Sequence, residues 1–366
     1  MEFISNKINT MKKIGVITIH SDYNYGAFLQ AYALIYILRK NGYFAEIIDY
    51  RKIPNHPRND SFPLNIIIKL LNHKREQRYN TFIKPMVGVH TYRTLNEIMN
   101  NFKENYDILI SGSDQIWNPR CGGLVNKLNP AYFLAFVSNK RCKKISYASS
   151  IGSYQFNKDE QNQIKRWLSE YTAISTREQS GKEQLSTFIN KEIQVTLDPT
   201  LLLTKDEWLE QAKPYKIKAK YVLVYYMVEI DEVLEYARKI ADLNQWKVAL
   251  ITNHIKRHPL VDINIRNCGP AEFITLFYNA EYIVTNSFHG TAFSVNFNKN
   301  FISIFKKDSP QRAQSFLNSI GLSHRLIKNI QQIDSLEKYI DYKDANIKLQ
   351  ELRNNSFQFL KNAINQ

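Results

Sequence analysis

The segment Thr285-Asn286-Ser287-Phe288-His289-Gly290 brings together groups that can handle an anion and move a proton. It closes an apolar run, residues 280–284, with the character of a buried strand, and residues 291–297 read as the helix that follows. A strand, a short polar turn and a helix aim backbone N–H groups at negative charge. Ser287 is a residue type that caps helices, and Gly290 lets a ligand approach the backbone. His289 is the turn's titratable side chain, and imidazole is the group whose ordinary pKa lies near neutrality. The same six residues also suit a plain helix start with a satisfied histidine, so the segment needs company to carry a function.

That company comes from other strands that end in small polar loops. Residues 13–20 form an apolar strand, residues 21–26 a loop, residues 27–40 a helix apolar nearly all round, and residues 45–49 the next strand. This is a βαβ unit and implies a parallel sheet. Its first loop carries Asn24 and Gly26, which serve either as turn residues or as ligand contacts, and it lacks a dinucleotide fingerprint. The strand at 106–110 runs into Ser111-Gly112-Ser113-Asp114-Gln115. Asp114 is placed to accept a hydrogen bond from a hydroxyl or to cap a helix. After residues 144–148, strand 173–176 ends at Arg177-Glu178, and strand 194–197 at Asp198-Pro199. Arg177 suits either a ligand anion or an ion pair with Glu178 or another acid. In an open parallel sheet such loops gather along one edge.

The second half repeats the architecture without repeating the sequence. Strands are expected at 221–228, 246–251, 280–284 and 301–305, with helices at 231–244, 270–279 and 309–320, the last bearing Arg312. Two domains follow: residues 13–200, interrupted by a basic insertion at 51–93, and residues 201–332. An extension precedes them at 1–12, and a helical tail at 333–366 is expected to pack back on the first domain. Two α/β domains facing each other leave a cleft suited to a substrate. Within the insertion, residues 64–79 read as an amphipathic helix with Leu64, Ile67, Ile68 and Leu71 on one side. It is either a surface helix packed on the domain or a contact to a membrane surface or lipid-linked substrate.

The chain has 366 residues, 49 Lys and Arg against 34 Asp and Glu, and a formal net charge of +15. That balance suits phosphorylated substrates or lipid surfaces; without zinc-finger spacing or a ribonucleoprotein motif, no nucleic-acid partner is expected. No run is long enough to span a membrane and no secretory signal is apparent, so the expected location is the cytoplasm, at the membrane's inner face if the 64–79 helix touches lipid. Cys121, Cys142 and Cys268 have no metal-type spacing, so no metal is expected.

Taken together, the pieces SDYNYGAFLQAYAL (21–34), YDILISGSDQIWNP (106–119), ISYASSIG (145–152), AISTRE (173–178), LDPTLLL (197–203) and VTNSFHGTAFSVNFNKNF (284–301) resemble the polysaccharide pyruvyl transferase family, with Arg312 opening its last helix. The resemblance implies an α/β fold of two Rossmann-like domains about a central cleft, like GT-B glycosyltransferases. It implies transfer of a pyruvyl group from phosphoenolpyruvate to two hydroxyls of a sugar, giving a ketal, with no cofactor beyond the donor substrate. The partners would be phosphoenolpyruvate and a sugar of a capsular or surface polysaccharide precursor. His289 and Asp114 would be catalytic; Asn24, Gly26, Ser113, Gln115, Arg177, Asn286, Ser287, Gly290 and Arg312 would bind substrate. Several family members carry Arg two residues before the histidine where this chain has Ser287, so donor charge must come from elsewhere, with Arg312 and Arg177 the candidates. The rival readings are a glycosyltransferase using a nucleotide sugar and a carbohydrate-binding protein on the same scaffold.

Overall fold

The computed structural model describes residues 11–21, 23–51, 62–137, 142–252, 257–305, 311–327 and 339–366, with 62–72 as backbone. The chain divides into two compact units. The first comprises Met1–Arg58, Ile83–Leu202 and Leu352–Gln366, the second Asn59–Phe82 and Leu203–Glu351.

The first unit is built on strands β1 (Lys13–Ile17), β2 (Phe44–Tyr50), β3 (Val87–Tyr92), β4 (Ile108–Ser111), β5 (Lys143–Ser146), β6 (Tyr171–Thr176) and β7 (Ile193–Val195). Among the described residues they form a seven-stranded parallel sheet in the order 3-2-1-4-5-6-7. Helix α1 (Tyr25–Lys40) connects β1 to β2 and is buried along most of its length. Such a helix can only sit in the interior of a layered fold. Asn24 caps it by accepting from the Ala27 N–H at 3.2 Å, and Arg39 and Lys40 fall in its last turn, where cations suit the helix dipole.

The stretch 51–93, expected as one insertion, divides. Helix α2 (Phe62–Ile83) lies largely in the second unit, while Val87–Tyr92 forms the edge strand of the first sheet. The division has a physical cause within the second unit: Tyr79 is fully buried, and Arg78 donates to the Asn267 carbonyl at 2.5 Å and reaches Glu272 at 3.4 Å. The side chains expected to form the amphipathic face, Leu64, Ile67, Ile68 and Leu71, lie outside the described residues. Two helices complete the first sheet's connections as far as β4 and β6: α3 (Leu95–Asn101) and α4 (Lys158–Leu168), each closed by a capping box, followed by α5 (Gln179–Ser186).

The main stretch of the second unit, from Leu203, begins with the short helix α6 (Lys205–Glu210). Its sheet comprises β8 (Tyr221–Tyr225), β9 (Lys247–Ile251), β10 (Ile263–Ile265), β11 (Tyr282–Thr285), β12 (Asn300–Ile304) and β13 (Leu326–Ile327). The order is 10-9-8-11-12-13, again parallel throughout. Renumbered from one, this is the doubly wound order of the first sheet's leading six strands, so each unit reverses strand order beside its own first strand. Helices α7 (Asp231–Asn244), α8 (Pro270–Asn279), α9 (Phe288–Asn296) and α10 (Gln311–Ser319) make the crossovers. The last helix, α11 (Lys343–Asn365), is shared: its residues from Leu352 onward cluster with the first unit. There Ser356 accepts from the Leu197 N–H at 2.9 Å and Phe359 meets the Tyr147 ring at 6.5 Å. Among the described residues no helix is long and apolar enough to cross a membrane.

Candidate functional site

The histidine segment follows β11, which lies next to β8 at the switch point of the second sheet. The helix begins three residues earlier than hydrophobic periodicity indicates, at Phe288 rather than Thr291, so His289 and Gly290 occupy its first turn. The cause is the cap: Ser287 Oγ accepts from the Gly290 N–H at 3.3 Å, and the Ser287 N–H donates to Thr285 Oγ1 at 3.0 Å. Every residue of α9 is buried. Its underside is aromatic, with Phe293 at 5.6 Å from Phe273 and 5.2 Å from Trp208, a rigid bed for the turn above it.

The turn's residues have distinct tasks. Asn286 is taken up by structure: its Oδ1 accepts from the Met227 N–H at 2.7 Å, and its Nδ2 donates to the Val228 carbonyl at 2.6 Å. It therefore fastens the loop after β8 to the turn after β11, across the switch point. Gly290 is required by packing, since a Cβ there would lie 2.2 Å from Thr285 Oγ1. Close helix–strand approach, rather than room for a ligand, explains the glycine. His289 is 7% exposed and meets Phe288 edge-on at 5.2 Å. The Arg312 guanidinium lies 5.9 Å from the centre of the same Phe288 ring. Phe288 thus draws His289 and Arg312, distant in sequence, into one neighbourhood beside the helix start.

The first unit holds a second polar cluster at the ends of its central strands. Gln30, on α1, donates to Thr18 Oγ1 at 2.9 Å, and Thr18 Oγ1 donates to the Ser113 carbonyl at 2.8 Å. Ser113 Oγ donates to Asp198 Oδ2 at 3.1 Å. Arg177 donates to the same oxygen at 2.6 Å, and reaches Asp114 at 3.5 Å and Glu178 at 3.7 Å. Burial works against its charge, but Asp198, Glu178 and Asp114 together hold its pKa above the ordinary value. Ser150 donates to Glu178, and Thr200 donates to Asp198 Oδ1 through both its N–H and its hydroxyl. The ion-pair reading of Arg177 is the one this geometry shows. Asp198 lies 21 residues downstream of Arg177, and its signal in the sequence is an acid placed directly after an apolar strand.

Asp114 differs from the other two acids. Its side chain is 14% exposed against 1% for Glu178 and 0% for Asp198. It sits at a positive φ of 72°, uncommon for a residue with a Cβ. Its carbonyl accepts from the Ser150 N–H at 2.9 Å, which ties the loop after β4 to that after β5. Backbone held in a sparsely populated region is a feature of functional sites, and Asp114 is the most exposed of the three acids around Arg177. Gln115, the next residue, is engaged by the protein: its Oε1 accepts from Asn118 at 3.0 Å and packs against Gly152, where a Cβ would come within 2.3 Å. Asn24 caps α1, and Gly26 is buried in that helix's first turn.

Sequence reasoning missed a third group beside these loops. His20 lies just beyond β1, 3% exposed, with Nδ1 at 3.1 Å from the Thr18 carbonyl and Nε2 at 2.9 Å from Asp49. Both ring nitrogens thus lie against oxygen atoms, one on the backbone and one on a carboxylate. Arg51 at 3.0 Å and Thr91 at 2.6 Å also serve Asp49, and these hydrogen bonds overcome burial to hold its carboxyl well below the usual range. The signal was a histidine and an aspartate each at the end of a neighbouring strand. Among the described residues, no group of three or more His, Cys, Asp or Glu is arranged to hold a metal ion.

Two doubly wound parallel units joined in one chain, each with polar groups gathered at its switch point, define a GT-B-like α/β protein. Solved structures share that fold over nearly the whole chain. The UDP-GlcNAc 2-epimerase of Neisseria meningitidis, solved with UDP-GlcNAc bound, is 13% identical and aligns over 97% of this chain and 100% of its own, with a TM-score of 0.60. A putative UDP-N-acetylglucosamine 2-epimerase of Listeria monocytogenes (10% identity, 93% and 91% covered, TM-score 0.56) and the UDP-GlcNAc 2-epimerase of Methanocaldococcus jannaschii (13%, 93% and 99%, TM-score 0.54) are similar in the same way. At such identities the likeness is one of fold alone. No curated protein matches the sequence. The family model for polysaccharide pyruvyl transferase matches residues 24–304. The chain belongs to the polysaccharide pyruvyl transferase family.

Proposed function

We infer that the protein transfers a pyruvyl group from phosphoenolpyruvate to two hydroxyls of a sugar in a polysaccharide precursor, forming a ketal and releasing phosphate. The observation that carries this reading is the family match across residues 24–304, which takes in both the Asp114 loop and the histidine turn. The chemistry of the two clusters supports it. The donor has a carboxylate and a phosphate, and the second unit offers the start of α9 with Arg312 beside Phe288. Arg312 takes over the charge that Ser287 cannot supply. His289 is suited to give a proton to the enol CH2 carbon and to recover one from the attacking hydroxyl. As the C–H bond forms, a sugar oxygen bonds to the adjacent carbon. The C–O bond to phosphate then breaks, and the second hydroxyl adds to the same carbon, its proton leaving with phosphate. In the first unit, Arg177 steadies the acids and the partly exposed Asp114 orients or deprotonates the acceptor hydroxyl. The work is done in the cytoplasm, on a sugar that is free or lipid-linked.

The test is a thermal-shift series with phosphoenolpyruvate, UDP-GlcNAc and inorganic phosphate, followed by phosphate release with a polysaccharide-precursor acceptor. A ligand held by the native state alone raises stability by about 2.7 kcal/mol at a hundred times its Kd. Phosphoenolpyruvate is expected to stabilise the protein and UDP-GlcNAc to leave it unchanged; the reverse result would establish the nucleotide-sugar reading instead. His289→Ala should abolish phosphate release while retaining the fold, and turnover near wild type would remove His289 from the mechanism.

A further inference from the structure

At the β7 edge of the first sheet, away from its switch point, the sheet and the last turns of α11 enclose a cavity of about 500 Å3. That volume lies in the ~300–1,000 Å3 range of small-molecule sites. Its helix side is formed by Asn355, Gln358, Asn362 and Gln366, with Gln194 and Glu192 on the strand side. Asn355, Gln358 and Asn362 are spaced by three and four positions and so share one face of α11, and Gln366, just past its end, continues the row. On a helix packed against a sheet, the neighbouring positions are apolar, as buried Phe359 and Ala363 are here. The amides border that apolar stripe on its exposed side.

The lining has a definite chemistry. Each carboxamide offers a donor group and an acceptor and never ionises. Gln358 Nε2 donates to Asn362 Oδ1 at 2.6 Å, and Gln194 Nε2 donates to Glu192 at 3.1 Å. These pairs orient the amides and leave each with further hydrogen-bonding capacity. Among the described residues, no Lys or Arg lines the cavity, although the chain carries 49 of them and a net charge of +15. A phosphate, a nucleic acid or an anionic headgroup would meet no countercharge here and would be repelled by Glu192. What fits is uncharged and rich in hydroxyls that both donate and accept.

Resting on the transferase reading above, we propose that this amide-lined groove is a second saccharide site, which holds neutral sugar residues of the acceptor apart from the residues assigned to the transfer. Such a site raises the effective concentration of the reacting sugar by tethering the chain that bears it.

The test compares the wild-type chain with Gln358→Ala/Asn362→Ala on an array of neutral and anionic oligosaccharides, with phosphoenolpyruvate thermal shift measured in parallel. Both residues are exposed, so the melting temperature should hold. The wild type is expected to retain neutral oligosaccharides of two or more residues. The double variant should lose at least fivefold in apparent affinity, since each amide contact contributes a factor of a few. Asn362→Gln, which keeps the carboxamide, should recover part of the binding. Equal binding by the double variant, retention of anionic glycans only, or no retention by the wild type would overturn the proposal. The two arms separate the readings. Amide-dependent glycan binding without a phosphoenolpyruvate shift keeps the saccharide site and removes the transferase; the opposite pattern removes the site alone.

Discussion

Replacing Arg177 by Met would leave Asp114, Glu178 and Asp198 without their shared cation while keeping the volume filled. The guanidinium is 2% exposed and the two nearer-buried acids 1% and 0%, so water cannot substitute for it. Breaking a buried pair by removing one partner costs about 3–5 kcal/mol, because the remaining charge is stranded. Asp198 keeps its bonds from Ser113 and Thr200, and Glu178 keeps Ser150, which argues for the lower half of that range. In a domain of this size such a loss lowers the melting temperature by roughly 2–4 °C per kcal/mol. The pH dependence discriminates further. Without Arg177, burial acts unopposed by that cation on Glu178 and Asp198 and pushes their folded-state pKa values above the unfolded ones, which lie near ~4. The destabilisation is then full at neutral pH and relieved as pH falls through those raised values. Urea unfolding at pH 7 and pH 5 is the assay, with Asp198→Asn in the Arg177→Met background expected to restore part of the loss. A variant within about 1 kcal/mol of wild type, or a deficit equal at both pH values, would refute the account of Arg177 as the cation of a buried acid cluster.

Arg312→Lys keeps the charge but loses the planar fork beside Phe288, and the affinity for phosphoenolpyruvate should fall roughly tenfold with little change in melting temperature; a lower melting temperature with unchanged affinity would leave Arg312 a structural part. Gly290→Ala drives a methyl group against Thr285 Oγ1 and should cost about 1–3 kcal/mol; adding Thr285→Ser, which keeps that hydroxyl, should recover little of it, and unfolding midpoints of the two variants showing full recovery would contradict the contact. Asp49 has a depressed folded-state pKa, so its contribution to stability is present above the unfolded value near ~3.9 and is lost as pH falls below it; Asp49→Asn should lower stability at pH 7 and flatten the acid limb of the unfolding curve, and an unchanged acid limb would contradict the His20–Asp49–Arg51 cluster.

Local order determined much of the molecule. Apolar runs ending in small polar loops set out the parallel sheets, Ser287 announced the helix it caps, and helices such as Asp231–Asn244 and Pro270–Asn279 begin and end where periodicity and end signals place them. These signals are legible because they act between neighbours in the chain. Others depend on partners the chain supplies much later. Arg177 pairs with Asp198, 21 residues further on, and Asn286 clasps Met227 and Val228, which lie across the switch point. Val87–Tyr92 joined the first sheet at its edge, while Asn59–Phe82 went with the second unit, where Arg78 finds Glu272. Gly290 reads alike in sequence whether it admits a ligand or the side chain of Thr285, and the contact that decides is tertiary. The sequence thus carried the order of strands and helices and the residue types able to do the chemistry, though not the start of the histidine helix at Phe288. Only the tertiary structure decided which of those groups neutralise one another and which stay open to a substrate, because burial and pairing are properties of the folded neighbourhood and not of the order of residues.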